Sequence, residues 1–589
     1  MATYHVTLGG QGYLVDLARY SRRAHQPFAP KTALGDRSYG DLVHDQALRV
    51  TGWRGGEGYP RHDASTPGHW RAGSGIDVFS EDGTLRLGPE TAAPASPIAA
   101  NEATACLVYQ GLLYVCMGEF LFSWNGSAWT TIGWLGAGRT GRALAIFQGK
   151  LYVTTDVDGF VVSWDGTILT PAVWAPPAGT TGSFAMATFY RQAAAYLYWC
   201  TQRATNGRVY WWDGGTLSAS QYQFEEPRCE AAVVLANRLY FFTADAAARR
   251  GGVYSVDDSG SGGVYRAHVM LEGAYFTGAV RWGDAIYAGT GPDGAIYRWD
   301  GSALTLVKSL ASYVALYGGE TRGLAVWNGA LWAGILDGAG TLGLLRYDGV
   351  GWTRPMVGLD GTAPRGMAVW NNQLHLLASK TGAAKMHRTL GTYRASGYVE
   401  SGLFDAGLPS VDKVLRSVRV SHSVLASGQS VQVQYQLEGD GAWTVLGSST
   451  TVGSTSATLS VAGTIICKQV AIRLVLAGTA GAASSVVVYD WLLRYALAPD
   501  LKREWELQVI LEGTAELPLI RLDGTPEPQT GAQLSGGLWA LKAQVGPTSF
   551  VDLDGASRSV WITELREEVA ERSQRRGYHT LGRLKLLEA

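Results

Sequence analysis

Paired acidic residues beside glycine are the first groups in the sequence that could do chemistry. They occur at residues 156–159 (DVDG) and 552–555 (DLDG). Carboxylates at this spacing can begin a calcium loop, but neither motif continues to the closing Glu that such a loop requires. The ten histidines are scattered, with no ligand pair on one element, and no cysteine lies in a CxxC motif. We therefore predict no metal site and no cofactor.

Hydrolytic chemistry needs a more specific arrangement of acids. A glycosidase holds two carboxylates across one bond, whereas Asp165, Asp300 and Asp348 each precede a glycine, as turn residues do. Sialidases repeat a Ser-x-Asp-x-Gly-x-Thr-Trp turn, and the nearest match, at residues 80–85, has the wrong spacing and occurs once. The loop at residues 10–12 (GQG) lacks the third glycine of a dinucleotide site, and no βαβ unit follows it. We expect that the protein is not an enzyme.

Tryptophans are the better candidates for a binding role, because an aromatic face packs against apolar ligand surface. Trp129, Trp352 and Trp443 lie near predicted loops and are our candidates for carbohydrate contact. Another four recur at one position of a repeat: Trp124, Trp164, Trp212 and Trp299. Repetition at one position favours packing within the fold for these four.

Composition narrows the class of protein further. The formal net charge is -1 and no basic face is visible, so we expect no nucleic-acid partner. No apolar run approaches the ~20 residues of a membrane span, and the first residues lack the pattern of a signal peptide. The five cysteines are predicted to be buried hydrophobic residues, with a Cys106–Cys116 disulfide as the alternative.

An internal repeat predicts the elements that position these residues. Seven copies of a phrase such as LAIFQGKLYV carry a marker residue every 38 to 47 residues. The markers are Tyr109, Phe147, Tyr190, Leu235, Trp282, Trp327 and Trp370. A second phrase follows most copies and ends in Asn-Gly or Asp-Gly, which favours a tight hairpin. Each unit thus predicts four strands, and residues 96–398 predict a seven-bladed β-propeller.

The regions on either side lack this repeat. Residues 1–95 are rich in Gly, Arg and Tyr and predict an extended N-terminal attachment region. A hairpin at residues 76–89 is placed to add a strand to the last blade and close the ring. Residues 399–497 contain alternating strands with Ser, Gly and Thr turns, which predict a β-sandwich.

The final region, residues 498–589, predicts a small C-terminal β or α+β domain. Its predicted strands are at 505–513, 538–546, 549–555 and 557–571, with a short helix over 566–577 as the alternative for the last of them. The fold class predicted for the whole chain is all-β.

Three segments resemble bacteriophage tail-associated proteins. Residues 8–42 (LGGQGYLVDLARY…) look like the start of minor tail proteins that carry propellers. Residues 402–424 (GLFDAGLPSVDKVLRSVRVSHSV) are similar to the sandwich that follows such propellers. Residues 550–572 and 581–589 look like the closing strands of tail-tube and distal-tail modules. The resemblance implies a structural role in the virion, and it assigns no functional residue.

The expected function follows from that resemblance. We expect a component of a phage tail, at the tail tip, baseplate or a fibre, whose propeller adheres to the host surface. The expected partners are other tail proteins, further copies of this chain, and a host-surface glycan or protein. The chain would be made in the host cytoplasm and would reside in the virion. A free propeller lectin and, less favoured, a polysaccharide-cleaving enzyme are the alternatives.

Overall fold

The computed structural model describes most of the chain. The described residues are 3–25, 46–63, 65–66, 68–98, 102–192, 194–218, 222–259, 264–292, 294–310, 322–336, 341–380, 383–498, 502–513, 518–571 and 578–589. Within them the chain is nearly all β-strand, with one α-helix, α1 (Gly531–Ala543), and a short 3-10 turn at Leu17–Arg19. The predicted all-β class is therefore confirmed. No helix in these ranges is long and apolar enough to cross a membrane.

Ten short strands precede the repeat. They are β1 (Val6–Leu8), β2 (Gln11–Val15), β3 (Ser21–His25), β4 (Gln46–Val50), β5 (Gly56–Glu57), β6 (His69–Trp70), β7 (Ala72–Ser74), β8 (Ile76–Asp77), β9 (Leu85–Leu87) and β10 (Pro89–Ala92).

The repeat region forms seven four-stranded antiparallel sheets. Sheet 1 contains β11 (Ala103–Tyr109), β12 (Leu112–Met117), β13 (Phe120–Trp124) and β14 (Trp129–Trp134). Sheet 2 contains β15 (Gly141–Phe147), β16 (Lys150–Thr155), β17 (Val161–Trp164) and β18 (Leu169–Trp174). Sheet 3 contains β19 (Gly182–Arg191), β20 (Ala194–Gln202), β21 (Arg208–Trp212) and β22 (Tyr222–Gln223). Sheet 4 contains β23 (Arg228–Leu235), β24 (Arg238–Ala244), β25 (Arg250–Asp257) and β26 (Tyr265–Glu272). Sheet 5 contains β27 (Tyr275–Trp282), β28 (Ala285–Gly291), β29 (Ala295–Trp299) and β30 (Leu304–Ser309). Sheet 6 contains β31 (Arg322–Trp327), β32 (Ala330–Leu336), β33 (Leu342–Tyr347) and β34 (Trp352–Leu359). Sheet 7 contains β35 (Ala363–Trp370), β36 (Gln373–Lys380), β37 (Ala383–Tyr393) and, as its fourth strand, β10.

The first strands of these sheets contact one another in cyclic order, β11 with β15 and so on to β35, which contacts β11. Neighbouring sheets bury apolar side chains between them; Leu344 and Met356 of sheet 6, for example, share a cluster with Leu376 of sheet 7. This burial of apolar surface is the main stabilising term for such an arrangement.

Each first strand also carries one β-bulge at the same place. The extra residues are Thr104, Arg142, Phe184, Glu230, Thr277, Gly323 and Arg365. A bulge bends its strand and increases the local twist. The seven sheets therefore share a local geometry as well as a strand order.

Asp-Gly and Asn-Gly turns join the third and fourth strands, as the sequence predicts. In sheet 2, Asp165 Oδ1 accepts hydrogen bonds from the backbone N–H groups of Thr167 (2.9 Å) and Ile168 (2.8 Å). The same arrangement recurs at Asn125, Asp213, Asp300 and Asp348. Bonds from the turn, the largest from the backbone N–H of Ala303, lower the pKa of Asp300 to about 2. These acids are turn residues.

Eleven strands follow the repeat. They are β38 (Ser396–Glu400), β39 (Asp412–His422), β40 (Ser430–Leu437), β41 (Thr444–Ser449), β42 (Ser456–Cys467), β43 (Val470–Ala477), β44 (Val487–Ala498), β45 (Lys502–Ile510), β46 (Thr548–Val551), β47 (Ser557–Glu571) and β48 (Tyr578–Glu588).

Two sheets formed mostly by β38–β44 enclose one hydrophobic core. One has the strand order β41-β40-β43-β38-β7 and the other β42-β39-β44-β9-β8, with β4 also paired to β44. Val433 and Leu474 of the first sheet share a core with Val418 and Leu493 of the second. Lys413 in β39 is charged and fully buried, and its Nζ donates to the carbonyl oxygens of residues 408, 411 and 468 at 2.8–2.9 Å.

The two ends of the chain build a third unit. Its strand order is β2-β1-β46-β47-β48-β45, and β2 also pairs with β45, which closes a six-stranded barrel. β3 pairs with β45, and α1 packs against β47. The helix begins at a capping box in which Thr530 and Gln533 satisfy each other's backbone N–H groups.

Two sequence predictions fail in this last region. The predicted strand at 538–546 is the end of α1, and the alternative helix over 566–577 is a strand as far as Glu571, beyond which it lies outside the described residues. The described strands of the N-terminal region pair with all three other regions, except β5 and β6, which pair with each other. The predicted hairpin at 76–89 pairs with β44, and it is the next strand, β10, that completes sheet 7.

Candidate functional site

A cavity of about 680 Å³ lies where sheet 6, sheet 7 and the hairpin β8–β9 meet. Sheet 6 lines it with Trp327, Asn328, Trp332, Arg346 and Pro355, and sheet 7 with Asn371, Asn372, Gln373 and residues 389–393. The N-terminal segment contributes Asp77, Phe79, Ser80, Arg86 and Pro89. Its volume lies within the roughly 300–1,000 Å³ that is usual for small-molecule sites.

The cavity follows from the way the seventh sheet is completed. In sheet 1 the turn glycine Gly126 lies against Trp370 of sheet 7, and a Cβ there would be 3.4 Å from the indole. In sheet 6 the turn glycine Gly349 lies against Trp282 of sheet 5 in the same way, at 3.7 Å. Sheet 7 has no such turn, because its third strand, β37, and its fourth, β10, come from distant parts of the chain. The space that a turn fills at other junctions is therefore open beside Trp327.

Trp327 lacks a hydrogen bond that two of its counterparts in other sheets make. Tyr109 and Trp370 also end a first strand, and each donates to a turn glycine of the next sheet, Gly149 O at 2.6 Å and Gly111 O at 2.9 Å. Trp327 Nε1 is buried and has no hydrogen-bond partner among the described residues. The junction at Trp327 thus lacks both the turn and the bond.

The hairpin wall of the cavity is fixed by one carboxylate. Asp77 Oδ1 accepts hydrogen bonds from the backbone N–H groups of Phe79 (2.9 Å) and Ser80 (3.2 Å) and from Arg346 Nη1 (3.1 Å). The Arg346 guanidinium lies over the Phe79 ring at 4.7 Å and over the Trp332 ring at 5.6 Å. Burial lowers the pKa of Arg346, and the nearby Asp77 counteracts this. The hairpin and sheet 6 are therefore held together by a largely buried ion pair.

Charges in the cavity wall are compensated. Arg346 is paired with Asp77, and Arg86 lies 3.5 Å from Glu81 and 3.4 Å from the hydroxyl of Tyr393. Arg86 Nε, Arg346 Nε and Thr392 Oγ1 are buried without a hydrogen-bond partner among the described residues. Four amide side chains also belong to the polar lining: Asn328, Asn371 and Asn372 are exposed and Gln373 is half-buried. The first three sit in two-residue turns with φ between 48° and 57°, a conformation that asparagine tolerates better than most residues. The arrangement can hydrogen-bond an uncharged ligand beside aromatic rings.

The three tryptophans proposed from the sequence do not line this cavity together. Trp129 is half-buried, packs on Trp124 with ring centroids 4.9 Å apart, and donates from Nε1 to Ala95 O at 3.1 Å. Trp352 is only 6% exposed and stacks on Tyr347 at 4.4 Å. Both rings already have packing partners.

Trp443 directly precedes β41 and contacts two arginines, Arg473 of β43 in the same sheet and Arg71 next to β7. The guanidinium groups of Arg473 and Arg71 lie 4.2 Å and 5.1 Å from the centre of its ring, and both arginines bind Glu400. Cation–π contacts of this kind occupy the ring faces. The structure therefore separates the three candidate residues and gives each a contact within the fold.

The acidic pairs have cationic partners. Asp156 lies 2.8 Å from Arg142, and Asp552 is bound by Arg22 at 2.9 Å and by Arg558 at 3.3 Å. Burial raises the pKa of Asp552, but hydrogen bonds, including one from Tyr20, outweigh it and the net shift is downward. No group of three His, Cys, Asp or Glu residues suited to a metal ion occurs in the described part of the chain.

The remaining groups singled out in the sequence are structural. His375 is fully buried in β36, where burial lowers its pKa to about 4 and keeps the imidazole neutral. Cys106 and Cys116 lie on neighbouring strands as free thiols, as do the other three cysteines. Burial, the largest cause, raises the pKa of Cys106 to about 12, so this thiol stays protonated.

Two features of the sequence indicate this cavity, and the choice of Trp129, Trp352 and Trp443 as candidates rested on neither of them. The seventh copy of the repeat (MAVWNNQLHLL) is not followed by an Asp-Gly or Asn-Gly phrase. A missing turn at the last unit indicates that another segment supplies its fourth strand. Asparagines at both turn positions of that same copy are a second signal, because each of the other six copies has asparagine at one of these positions at most.

No model of a known protein family matches the chain, and no curated protein sequence is significantly similar to it. Solved structures show distant similarity. The extracellular domain of a hybrid two-component system from B. thetaiotaomicron has a TM-score of 0.39 and 13% identity, over 58% of this chain and 44% of that chain. PorZ of the Porphyromonas gingivalis type-IX secretion system has a TM-score of 0.36 and 13% identity, over 65% and 57%. The SapL1 lectin in complex with α-methyl fucoside has a TM-score of 0.33 and 14% identity, over 44% and 97%. This chain thus spans about half the length of the first two structures. Because all these TM-scores are below 0.5, we base no inference on them.

Proposed function

We propose that the seven four-stranded sheets form a seven-bladed β-propeller. Three observations support this: the equal strand order, the cyclic contacts of the first strands, and the bulge that all seven first strands share. The outer strand β10 closes the ring by joining the sheet that the chain forms last. The two sheets around β38–β44 are then a β-sandwich that follows the propeller, and the barrel is the C-terminal domain.

We also propose that the chain is a structural component of a phage virion tail, at the tail tip, baseplate or a fibre. One observation carries this proposal: the described parts of residues 3–25 and 502–589 build one unit around a closed six-stranded barrel, and the rest of the described chain is inserted between β3 and β45. A domain made from two segments that flank an insertion can attach to a scaffold while the inserted part projects from it. The sequence resemblance to tail modules at residues 550–572 and 581–589 supports the same division.

In this role the barrel is the attachment module and the propeller is the platform for adhesion to the host surface. The described N-terminal strands hold the modules together, since they pair with the barrel, the sandwich and sheet 7 in turn. The protein acts by binding rather than by catalysis. None of the structures named above is a phage tail protein, so the proposal rests on the sequence resemblance and on the chain topology.

Self-association through the barrel is the testable part of this proposal. Val545 follows α1 and is 99% exposed, while Val452, in a turn between β41 and β42, is 64% exposed. Light scattering on purified protein, followed by negative-stain imaging, should show a ring or another closed oligomer. Val545→Asp should shift this species towards monomer, because a charge at an apolar contact carries a desolvation cost.

The matched variant Val452→Asp adds the same charge to the sandwich and should leave the oligomer intact. A strictly monomeric wild-type protein at high concentration contradicts the tail proposal and favours the free lectin instead. Equal loss of the oligomer in both variants contradicts the role of the barrel.

A further inference from the structure

The cavity between sheets 6 and 7 presents two kinds of surface. Trp327, Phe79 and Tyr393 are only partly buried and offer ring surface. Asn371 and Asn372 offer amide groups, each with an oxygen that accepts and a nitrogen that donates hydrogen bonds. A ligand that fits must therefore combine an apolar face with groups that both donate and accept.

Charge narrows the class of ligand further. The two arginines in the wall already have carboxylate partners, Asp77 for Arg346 and Glu81 for Arg86. A phosphate or another strongly anionic group would need a free cation to offset its desolvation. The wall thus favours an uncharged ligand.

We propose that this cavity binds a neutral pyranose unit of a glycan. The C–H face of the sugar ring packs on Trp327, and its hydroxyl groups exchange hydrogen bonds with Asn371, Asn372 and Asn328. A hydroxyl both donates and accepts, as does a side-chain amide, so the two match without any charge. The site is formed once, at the junction where the ring closes, and it differs from the residues Trp129, Trp352 and Trp443.

The turn positions provide a matched pair of variants. Asn372 and Asn237 both occupy the second position of a two-residue turn after a first strand, with φ of 57° and 58°, and both are exposed. Replacing either with glycine removes an amide at a position where glycine is unstrained, as Gly111 and Gly149 already are. Asn237→Gly is therefore the control for Asn372→Gly.

The experiment is a screen of the full-length protein against an array of neutral and acidic oligosaccharides, followed by calorimetric titration of the best binder. We expect a neutral glycan to bind, Asn372→Gly to weaken binding by roughly 3- to 10-fold through loss of one or two hydrogen bonds, and Asn237→Gly to leave it unchanged. Trp327→Ala should weaken binding by roughly 10-fold or more, whereas Trp129→Ala should not change it. Circular dichroism and light scattering confirm that each variant is folded and assembled.

Three outcomes overturn the inference. They are an array without a binder, preference for acidic glycans only, and equal weakening by the two glycine variants. The inference does not depend on the tail proposal. An assembled ring that binds no glycan contradicts only the site, and a monomer that binds a neutral glycan through Trp327 contradicts only the tail role.

Discussion

Replacing Trp327 and Trp370 separately by phenylalanine tests whether the cavity is a real gap in the packing between sheets. The two residues occupy the same position in sheets 6 and 7, but only Trp370 donates a hydrogen bond, to Gly111 O at 2.9 Å. Trp370→Phe removes that bond, at a cost of about 0.5–1.5 kcal/mol. Trp327→Phe removes a buried N–H that has no partner among the described residues, which relieves a penalty of about 1–3 kcal/mol.

The loss of ring volume acts in the same direction. Trp370 is 5% exposed and Trp327 is only partly buried, so the smaller ring leaves more empty space at Trp370. Together these effects make Trp370→Phe less stable than Trp327→Phe by at least about 1 kcal/mol. At roughly 2–4 °C per kcal/mol for a unit of 150–250 residues, the midpoints of the two variants should differ by about 2 °C or more.

Differential scanning calorimetry of the full chain measures this difference. The protein has several domains, so the comparison is made on one transition that both variants shift, and the denaturation of the whole chain is not treated as two-state. Equal midpoints, or a lower midpoint for Trp327→Phe, refute the reasoning. Either result means that Trp327 has a structural bond and that the cavity is not an unfilled junction.

Three more predictions concern the sandwich and the barrel. Lys413→Met should destabilise the protein by about 1–3 kcal/mol in urea at pH 7, because three backbone carbonyls lose their donor. Burial lowers the folded pKa of Lys413 to about 8 from 10.5, so the unfolded chain binds more protons between these values. The free energy of unfolding of the wild-type protein should therefore rise relative to that of Lys413→Met from about pH 8 to pH 10. A difference between the two proteins that stays constant over this range contradicts the prediction. Asp552→Asn removes the carboxylate that binds Tyr20 and Arg22. Limited proteolysis of this variant should therefore cleave the N-terminal residues about 10-fold faster. An unchanged cleavage rate would show that β3 stays in place without the Asp552 carboxylate. Trp443→Ala should lower the midpoint of the sandwich without changing the affinity for any glycan, and a loss of glycan binding would place the site in the sandwich instead.

The strand content of the middle region was predictable from the repeat, because each unit contains two separate signals for a hairpin. An aromatic marker followed by a two-residue turn predicts the first hairpin, and an Asp-Gly or Asn-Gly phrase predicts the second. Both patterns are local, since the carboxylate or amide that caps a turn lies within three residues of the N–H groups it binds. Local patterns of this kind survive in any context that keeps the strands paired.

Register and context limit what such patterns can predict. In the third copy the sequence places Tyr190 at the marker position, whereas the turn places Arg191 there. Tyr190 is 67% exposed, and Arg191 is buried with its guanidinium over Tyr196 and Trp211. A slip of one residue exchanges the two faces of a strand. The prediction of a strand at 538–546 was wrong for a related reason. The residues of that window alternate like a strand, and the capping residue that marks the start of α1, Thr530, lies outside the window.

Pairing between distant segments was the least predictable feature. The strands β1, β4, β7, β9 and β10 are three to five residues long, and each pairs with a strand that lies hundreds of residues away in the sequence. Strands this short carry too few residues for periodicity to identify them. The composition of residues 1–95 therefore predicted an extended segment without its partners, and its described strands are divided among five sheets.

The same distant pairing explains why this cavity occurs at one junction of a repeated fold. A ring of identical units has identical junctions, so a repeat alone predicts either a site at every junction or a site at none. Completing sheet 7 with β10 breaks this symmetry, because no turn connects β37 to β10 and the register between them shifts at Pro89–Thr91. The hairpin β8–β9 then covers the open space and is fixed there by the Asp77–Arg346 pair. Thus the strand that completes sheet 7 also leaves a junction at which a ligand can replace a turn. Asp77→Asn, which weakens the cover, should lower glycan affinity while leaving the other six sheets unaffected in hydrogen exchange. Faster exchange in all seven sheets would show instead that the hairpin supports all of them, and the link between the completion of sheet 7 and binding would be lost.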